Sequence, residues 1–141
     1  MKKVLAAIDG SQHSAKTLQL AAEIAASCKG SLEVAYVAVP LAYSSELSSE
    51  IVAKAHQQER RWVERIFQEA LTRARRAGVN AETVLLSGGP AAETIAEYAD
   101  RKQFDLVVIG RHGREAVSSF LPGHVADRLV RLCRKPILVT R

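Results

Sequence analysis

The chain has 141 residues, 48% of them apolar and 25% charged, which is enough to bury one core and predicts a single domain over residues 1–141. No apolar run approaches the ~18–20 residues of a transmembrane helix, and the N-terminus is too short in apolar residues for a signal peptide, so we expect a cytoplasmic protein with no membrane partner. The net charge is +5, but the arginines of residues 60–76 alternate with glutamates at helical spacing. That mixture indicates a solvated helix face rather than a nucleic-acid site.

Apolar runs and helical periodicity alternate along the whole chain, with no repeat and no linker. In chain order they predict a strand over 3–8, a helix over 15–28, a strand over 32–39, a loop over 41–49, a helix over 47–77, a strand over 79–87, a helix over 91–102, a strand over 104–109, a helix over 123–132 and a strand over 136–140. This alternation predicts an α/β fold with one doubly wound, five-stranded parallel sheet and helices on both faces.

Residues at the ends of these elements give further expectations. Ser14 is predicted to cap the first helix, and Pro90 to lie near the first position of the third. The second helix would be roughly 45 Å long at ~1.5 Å per residue, so its first turns should be mobile or project from the domain. Cys28 and Cys133 have no metal-like spacing and fall late in predicted helices on the apolar side, which predicts buried free thiols.

A glycine-rich segment follows the fourth strand. Gly110 and Gly113 come directly after the apolar run 104–109, and Gly123 stands just before the next helix. Glycines let a backbone turn sharply and approach a ligand, and free N–H groups at a helix start favour an anion. The unit has the layout of a nucleotide-phosphate cradle. Because parallel sheets bind ligands where the winding reverses, this loop and the turn at Asp9 should line one crevice if their strands are neighbours.

Four pieces of the sequence together resemble the universal stress protein family. They are the opening strand with its acidic turn (residues 4–11), the Gly-Gly-Pro-Ala segment (88–91), the Gly-x-x-Gly-x9-Gly spacing of the ATP-binding subgroup (110–123) and the closing strand (136–139). The resemblance covers essentially the whole chain. It implies an adenine nucleotide alpha hydrolase-like fold with strand order 3-2-1-4-5, and a homodimer joined through the last strand.

The resemblance also implies a nucleotide site, position by position. The residues that would face the adenosine are Ala7, Ile8, Asp9 and Val37. Those that would line the ribose and phosphates are Ile109, Gly110, His112 and Gly113. Those that would form the phosphate-facing helix start are Gly123, His124, Val125 and Ala126. The implied cofactor is ATP, with Mg²⁺ as its candidate companion ion. No catalytic residue and no metal site formed by protein side chains is expected.

Three functions stay open at this level. The first is a non-catalytic stress-response regulator that binds ATP weakly, because the family has Ser or Thr at position 124 and often a hydroxyl residue at 126, where this chain has His124 and Ala126. The second is a dimeric stress-response scaffold that binds no nucleotide, which these two substitutions favour and the three glycines oppose. The third is slow ATP hydrolysis, for which no P-loop lysine motif and no clustered metal carboxylates are present. Asp9 itself has two readings, a turn-capping residue or a ligand contact.

Overall fold

Five strands and four helices alternate in the computed structural model, which describes residues 2–38, 48–111 and 124–141. In chain order they are β1 (Lys3–Ile8), α1 (Gln12–Ser27), β2 (Ser31–Val37), α2 (Ser49–Arg76), β3 (Ala81–Leu86), α3 (Ala91–Arg101), β4 (Leu106–Gly110), α4 (His124–Leu132) and β5 (Ile137–Thr140). All five strands are parallel and lie in the order β3-β2-β1-β4-β5. The predicted fold class and strand order are therefore confirmed.

Alternate side chains of the central strand enter two separate cores. Val4, Ala6 and Ile8 belong to a cluster on the face covered by α1 and α2, whereas Leu5 and Ala7 belong to a cluster on the face covered by α3 and α4. The central strand is thus apolar on both faces, as expected for a sheet sandwiched between helices. The face of α1 predicted to be buried is buried, with Leu18, Ala21, Ala22 and Ala25 all at most 3% exposed.

One helix start differs clearly from the sequence prediction. α1 begins at Gln12 after Ser11, three residues before the predicted start, because the Ser14 hydroxyl is engaged with the Asp9 turn and caps nothing. α3 begins at Ala91, as predicted, and Pro90 is its N-cap residue, next to the first helical position. The remaining boundaries move by one or two residues, as at β2, β3, β4 and β5.

The long second helix is unbroken, and its 28 residues span about 42 Å at ~1.5 Å per residue. The Ser48 hydroxyl accepts a hydrogen bond from the Ile51 amide at 3.3 Å and caps its start. Its first buried residue is Val63, and Ala70 and Ala74 follow at helical spacing. The first half of α2 therefore lacks core contacts, which agrees with the prediction that these turns project.

The prediction of two buried thiols is half wrong. Both cysteines are free, but Cys28 is exposed, while Cys133 is partly buried against the cluster beneath α3 and α4. The period that places Cys28 on the apolar side of α1 stops applying where the helix ends, at Ser27. Cys28 is the C-cap residue, and it turns away from the sheet.

Candidate functional site

The turn after β1 and the end of β4 lie side by side at the carboxyl edge of the sheet. β1 pairs with β4 in parallel, with Ala7 opposite Ile109. From β1 the chain winds outward through β2 to β3, then crosses back and winds the other way through β4 to β5. The winding therefore reverses between β1 and β4, which is where sheets of this kind form a ligand crevice.

Asp9 organises the turn that leaves β1. Its carboxylate oxygen Oδ1 accepts hydrogen bonds from the Ser11 amide at 2.9 Å and from the Ser14 hydroxyl at 2.8 Å. The Ser14 oxygen in turn accepts from the amides of Asp9 and Gly10, at 3.2 and 3.1 Å. Asp9 therefore has the turn-capping role that the sequence suggested, and this role uses its carboxylate oxygen Oδ1.

Ser11 is the N-cap residue of α1, yet its side chain makes no capping hydrogen bond. Its hydroxyl oxygen is buried and has no hydrogen-bond partner among the described residues. A buried hydroxyl without a partner loses its hydration and gains nothing in return, which costs about 1–3 kcal/mol. The first turn of α1 also contains no acidic residue. The start of this helix thus holds a buried polar oxygen whose hydrogen-bonding capacity no described residue uses.

The second helix closes the other side of the same turn. A Cβ atom added at Gly10 would lie 2.5 Å from Ile66 Cδ1 and 2.7 Å from Trp62 Cζ2, so the two α2 side chains rest directly against the glycine. Gly10 also has a φ of +79°, which side chains rarely adopt. Glycine is required here for both reasons.

The apolar residues predicted to line the nucleotide, Ala7, Ile8 and Val37 at the adenosine and Ile109 at the ribose and phosphates, lie at this edge but on different faces. Ala7 and Ile109 are buried in the cluster beneath α3 and α4, whereas Ile8 is buried in the cluster beneath α1 and α2. Val37 is the last residue of β2 and is partly buried, opposite Leu86 of β3. Gly110 is the last residue of β4 and is half-buried.

The start of α4 is only partly described. His112, Gly113 and Gly123 lie outside the described residues. His124 is the exposed first residue of α4, Val125 is partly buried, and Ala126 is 2% exposed and packs in the core. Among the first three residues of α4, the polar side chain that is exposed is therefore that of His124.

An ion pair that the sequence did not predict joins the starts of α3 and α4. Arg128 pairs with Glu93, whose other oxygen, Oε2, is buried with no partner among the described residues. The Arg128 hydrogen bond is the largest cause of a lowered pKa at Glu93, and the charge of nearby His124 lowers that pKa further. A carboxylate and two basic groups thus stand beside the crevice. Thirty-five residues separate Glu93 from Arg128, so no local pattern could have revealed the pair.

Neither a metal centre nor a membrane span is found in the part of the chain that the structure describes. No group of three or more His, Cys, Asp or Glu side chains there is arranged to hold a metal ion. None of the helices in residues 2–38, 48–111 and 124–141 is both long and apolar enough to cross a membrane.

Known proteins match this chain along its full length. The model of the universal stress protein family matches residues 1–141. The universal stress protein YxiE of Bacillus subtilis is 31% identical over 146 residues, which cover 99% of this chain and 98% of that protein. A universal stress protein solved in complex with cAMP is 26% identical with a TM-score of 0.76, covering 99% of this chain and 97% of the other. UspA from Lactobacillus plantarum, at 20% identity, a TM-score of 0.87 and coverage of 99% and 97%, shares the fold.

Proposed function

The chain belongs to the universal stress protein family, and from that premise we propose that it binds an adenine nucleotide between the Asp9 turn and the end of β4. The observation that carries the proposal is the Ser11 hydroxyl, which is buried with no partner among residues 2–38, 48–111 and 124–141, beside the point where the winding of the sheet reverses. The relative solved with cAMP supports the choice of ligand class. We propose a regulator that acts by binding; its cytoplasmic location stays a prediction of the sequence.

Within this site we propose separate roles for the two sides of the crevice. The Asp9 turn and the end of Val37's strand would hold the nucleoside, as the sequence predicts. Gly110 and the α4 start would face the phosphates, where exposed His124 stands at a helix N-terminus and can pair with an anion when protonated. ATP, with or without Mg²⁺, is the specific ligand that the glycine spacing favours.

Calorimetric titration with AMP, cAMP and ATP tests the proposal directly, together with mass spectrometry of any nucleotide released from the denatured protein as purified. We expect binding of at least one of the three. The absence of binding by all three at millimolar concentration would favour the nucleotide-free scaffold instead. Phosphate release from ATP, measured in the same samples, separates a binding protein from a slow ATPase.

Ser11→Ala isolates the hydroxyl that carries the proposal. Because this oxygen is buried and bonds no described residue, its removal should leave the melting temperature unchanged or raise it. Nucleotide affinity should fall about three- to tenfold, the equivalent of one hydrogen bond at ~0.5–1.5 kcal/mol. Ser27→Ala, at the exposed far end of the same helix, is the matched control and should bind as tightly as the wild type. Equal affinities for the wild type and Ser11→Ala would remove this hydroxyl from the site.

His124→Ser tests the phosphate side. A hydroxyl at this position would add a hydrogen bond to a charged group, which contributes ~1.5–3 kcal/mol, so ATP should bind about tenfold more tightly or better. AMP, with one phosphate, serves as the comparison ligand. If ATP affinity does not rise, the account of position 124 as a missing phosphate hydroxyl is wrong.

We also propose a homodimer through β5. The carbonyls of Pro136 and Thr140 accept hydrogen bonds from Val107 and Arg111, so the alternate residues of β5 direct their backbone groups away from β4. Val139 is one of these, and its side chain is 36% exposed. A second copy of the same strand, antiparallel about a two-fold axis, would pair these groups and cover the apolar edge.

A further inference from the structure

The opposite, amino edge of the sheet concentrates the basic charge of the chain. We define this amino edge as residues 2–3 and the four helix-to-strand connections, each from the last two helical residues to the first strand residue (26–31, 75–81, 100–106 and 131–137). It contains ten Lys or Arg residues and two acidic residues, Asp100 and Asp105, which leaves ten basic and thirteen acidic residues for the rest of the chain. The amino edge is therefore strongly basic, while the remainder is slightly acidic.

The segments that carry these side chains lie side by side along the edge. The amides of Lys2 and Lys3 both donate to Asp105 Oδ2 at 2.8 Å, and Lys3 Nζ donates to the Lys102 carbonyl at 2.6 Å. Lys135 Nζ reaches Gln103 Oε1 at 3.3 Å, which continues the surface to β5.

On the other side, the Lys2 carbonyl accepts from the Ser31 amide, which brings the exposed Lys29 next to β1. The Asn80 carbonyl accepts from the Leu32 amide and brings the end of α2, with exposed Arg76, into the same row. The row crosses all five strands, or about 19 Å at ~4.8 Å per strand.

Helix dipoles explain only part of this charge. All four helices end at the amino edge, and each C-terminus is equivalent to about half a negative charge, or about two charges together. The excess of eight basic over acidic side chains is several-fold larger. Asp105, the exposed acid in the middle, already accepts two backbone hydrogen bonds, which lower its pKa. Most of the positive charge therefore remains available to an anionic partner.

We propose that the amino edge binds the phosphate backbone of a nucleic-acid duplex, independently of sequence. A duplex supplies one negative charge per ~1.7 Å, or about eleven across this row. An extended acidic peptide turns one side chain towards a surface every ~7 Å, so it would supply about three negative charges across the same row. Phe104, the aromatic residue of the edge, is 2% exposed and its neighbour Tyr98 is 7% exposed, so the edge offers no stacking platform for unpaired bases among its described residues.

This assignment revises an expectation drawn from the sequence. The prediction against nucleic acid rested on the mixed charges of α2, because such binding needs a stripe of one sign. The stripe exists, but its members come from five separate segments that only the fold assembles. It lies about one strand length, roughly 20 Å, from the proposed nucleotide crevice, so the two proposals are independent.

Fluorescence anisotropy with a labelled 20-base-pair duplex, as a function of salt, tests the proposal. The wild type should bind, with log K falling against log salt at a slope near −0.9 for each phosphate contacted. The variant Lys29→Gln/Arg76→Gln/Lys102→Gln removes three exposed charges from the row. Its slope should be smaller by about 3, and its affinity should fall about eightfold per lost contact at 0.1 M salt.

The matched control is Lys54→Gln/Arg60→Gln/Arg61→Gln, which removes three exposed charges from α2. It should keep the wild-type slope, and circular dichroism should show both triple variants folded. Equal losses in both variants would reduce the effect to net charge and overturn the proposal, as would no duplex binding at 50 mM salt. Tighter binding to vesicles with anionic lipid, or full competition by polyglutamate at equal charge, would assign the amino edge to a membrane or an acidic protein instead.

Discussion

Gly10→Ala is the substitution whose cost can be worked out most directly. The added Cβ would lie 2.5 Å from Ile66 Cδ1 and 2.7 Å from Trp62 Cζ2. The isoleucine methyl can rotate aside, but the indole ring is rigid, so overpacking should cost about 1–3 kcal/mol. The positive φ adds about 1 kcal/mol. With an unfolding entropy of ~2.1 cal/mol/K per residue, a total of about 2–4 kcal/mol lowers Tm by about 7–13 °C.

Gly78→Ala is the matched control for that experiment. Gly78 has nearly the same φ, +75°, but a Cβ there would meet no atom within 4 Å. Its substitution should therefore cost only the backbone strain, about 1 kcal/mol, or about 3 °C in calorimetry. Ile66→Ala should therefore lower Tm less in the Gly10→Ala background than in the wild type, because the shortened side chain relieves one of the two close contacts. If Gly10→Ala and Gly78→Ala melt at the same temperature, α2 does not clamp the turn and the steric argument is refuted.

Three further predictions concern assembly and pH. Val139→Pro removes a backbone N–H that points away from β4, so it should weaken pairing through this strand. Light scattering coupled to size exclusion should show a dimer for the wild type and more monomer for the variant. An undiminished dimer in the variant would place the interface elsewhere. Burial and then its hydrogen bond to Glu33 raise the pKa of Tyr98 to about 12, so the stability that the neutral phenol contributes is complete below pH ~10 and is lost as pH rises towards 12. In denaturant titrations, the loss of stability at alkaline pH should be smaller in Tyr98→Phe than in the wild type. An equal loss in both proteins would contradict this account. Backbone hydrogen bonds hold the pKa of Asp105 below its usual range, so the stability that its carboxylate contributes is present above pH ~4 and is lost on acidification. The free energy of unfolding of Asp105→Asn should therefore fall less steeply below pH ~4 than that of the wild type. An equally steep fall would count against this account.

The positions of the strands and helices along the chain could be predicted from the sequence because they depend on periodicity within short segments. The alternation of apolar runs with helical patterns required a parallel sheet, and the resemblance supplied its order. Local competition for hydrogen bonds was harder to foresee. Ser14 looks like a cap, but its hydroxyl is drawn to the Asp9 carboxylate, so the helix begins after Ser11 instead.

Contacts between distant segments of the chain could not be predicted. Nothing near Gly10 indicates that Trp62 will rest against it, and nothing near Glu93 indicates its pairing with Arg128. Those predicted site residues that lie within the described ranges are brought to one edge by the topology alone. Which of their side chains enter a core, as Ala126 does, depends on packing that a single sequence does not encode locally.

The position of Trp62 gives this protein a built-in optical probe. It is the only tryptophan in the chain, and it touches the glycine next to Asp9. Indole emission responds to the polarity and rigidity around the ring. A rearrangement of this turn should therefore change the wavelength or the intensity of the intrinsic fluorescence, and no added label is needed. Occupancy of the crevice can then be followed in real time, in stopped-flow mixing or in a cell extract, from a single native chromophore.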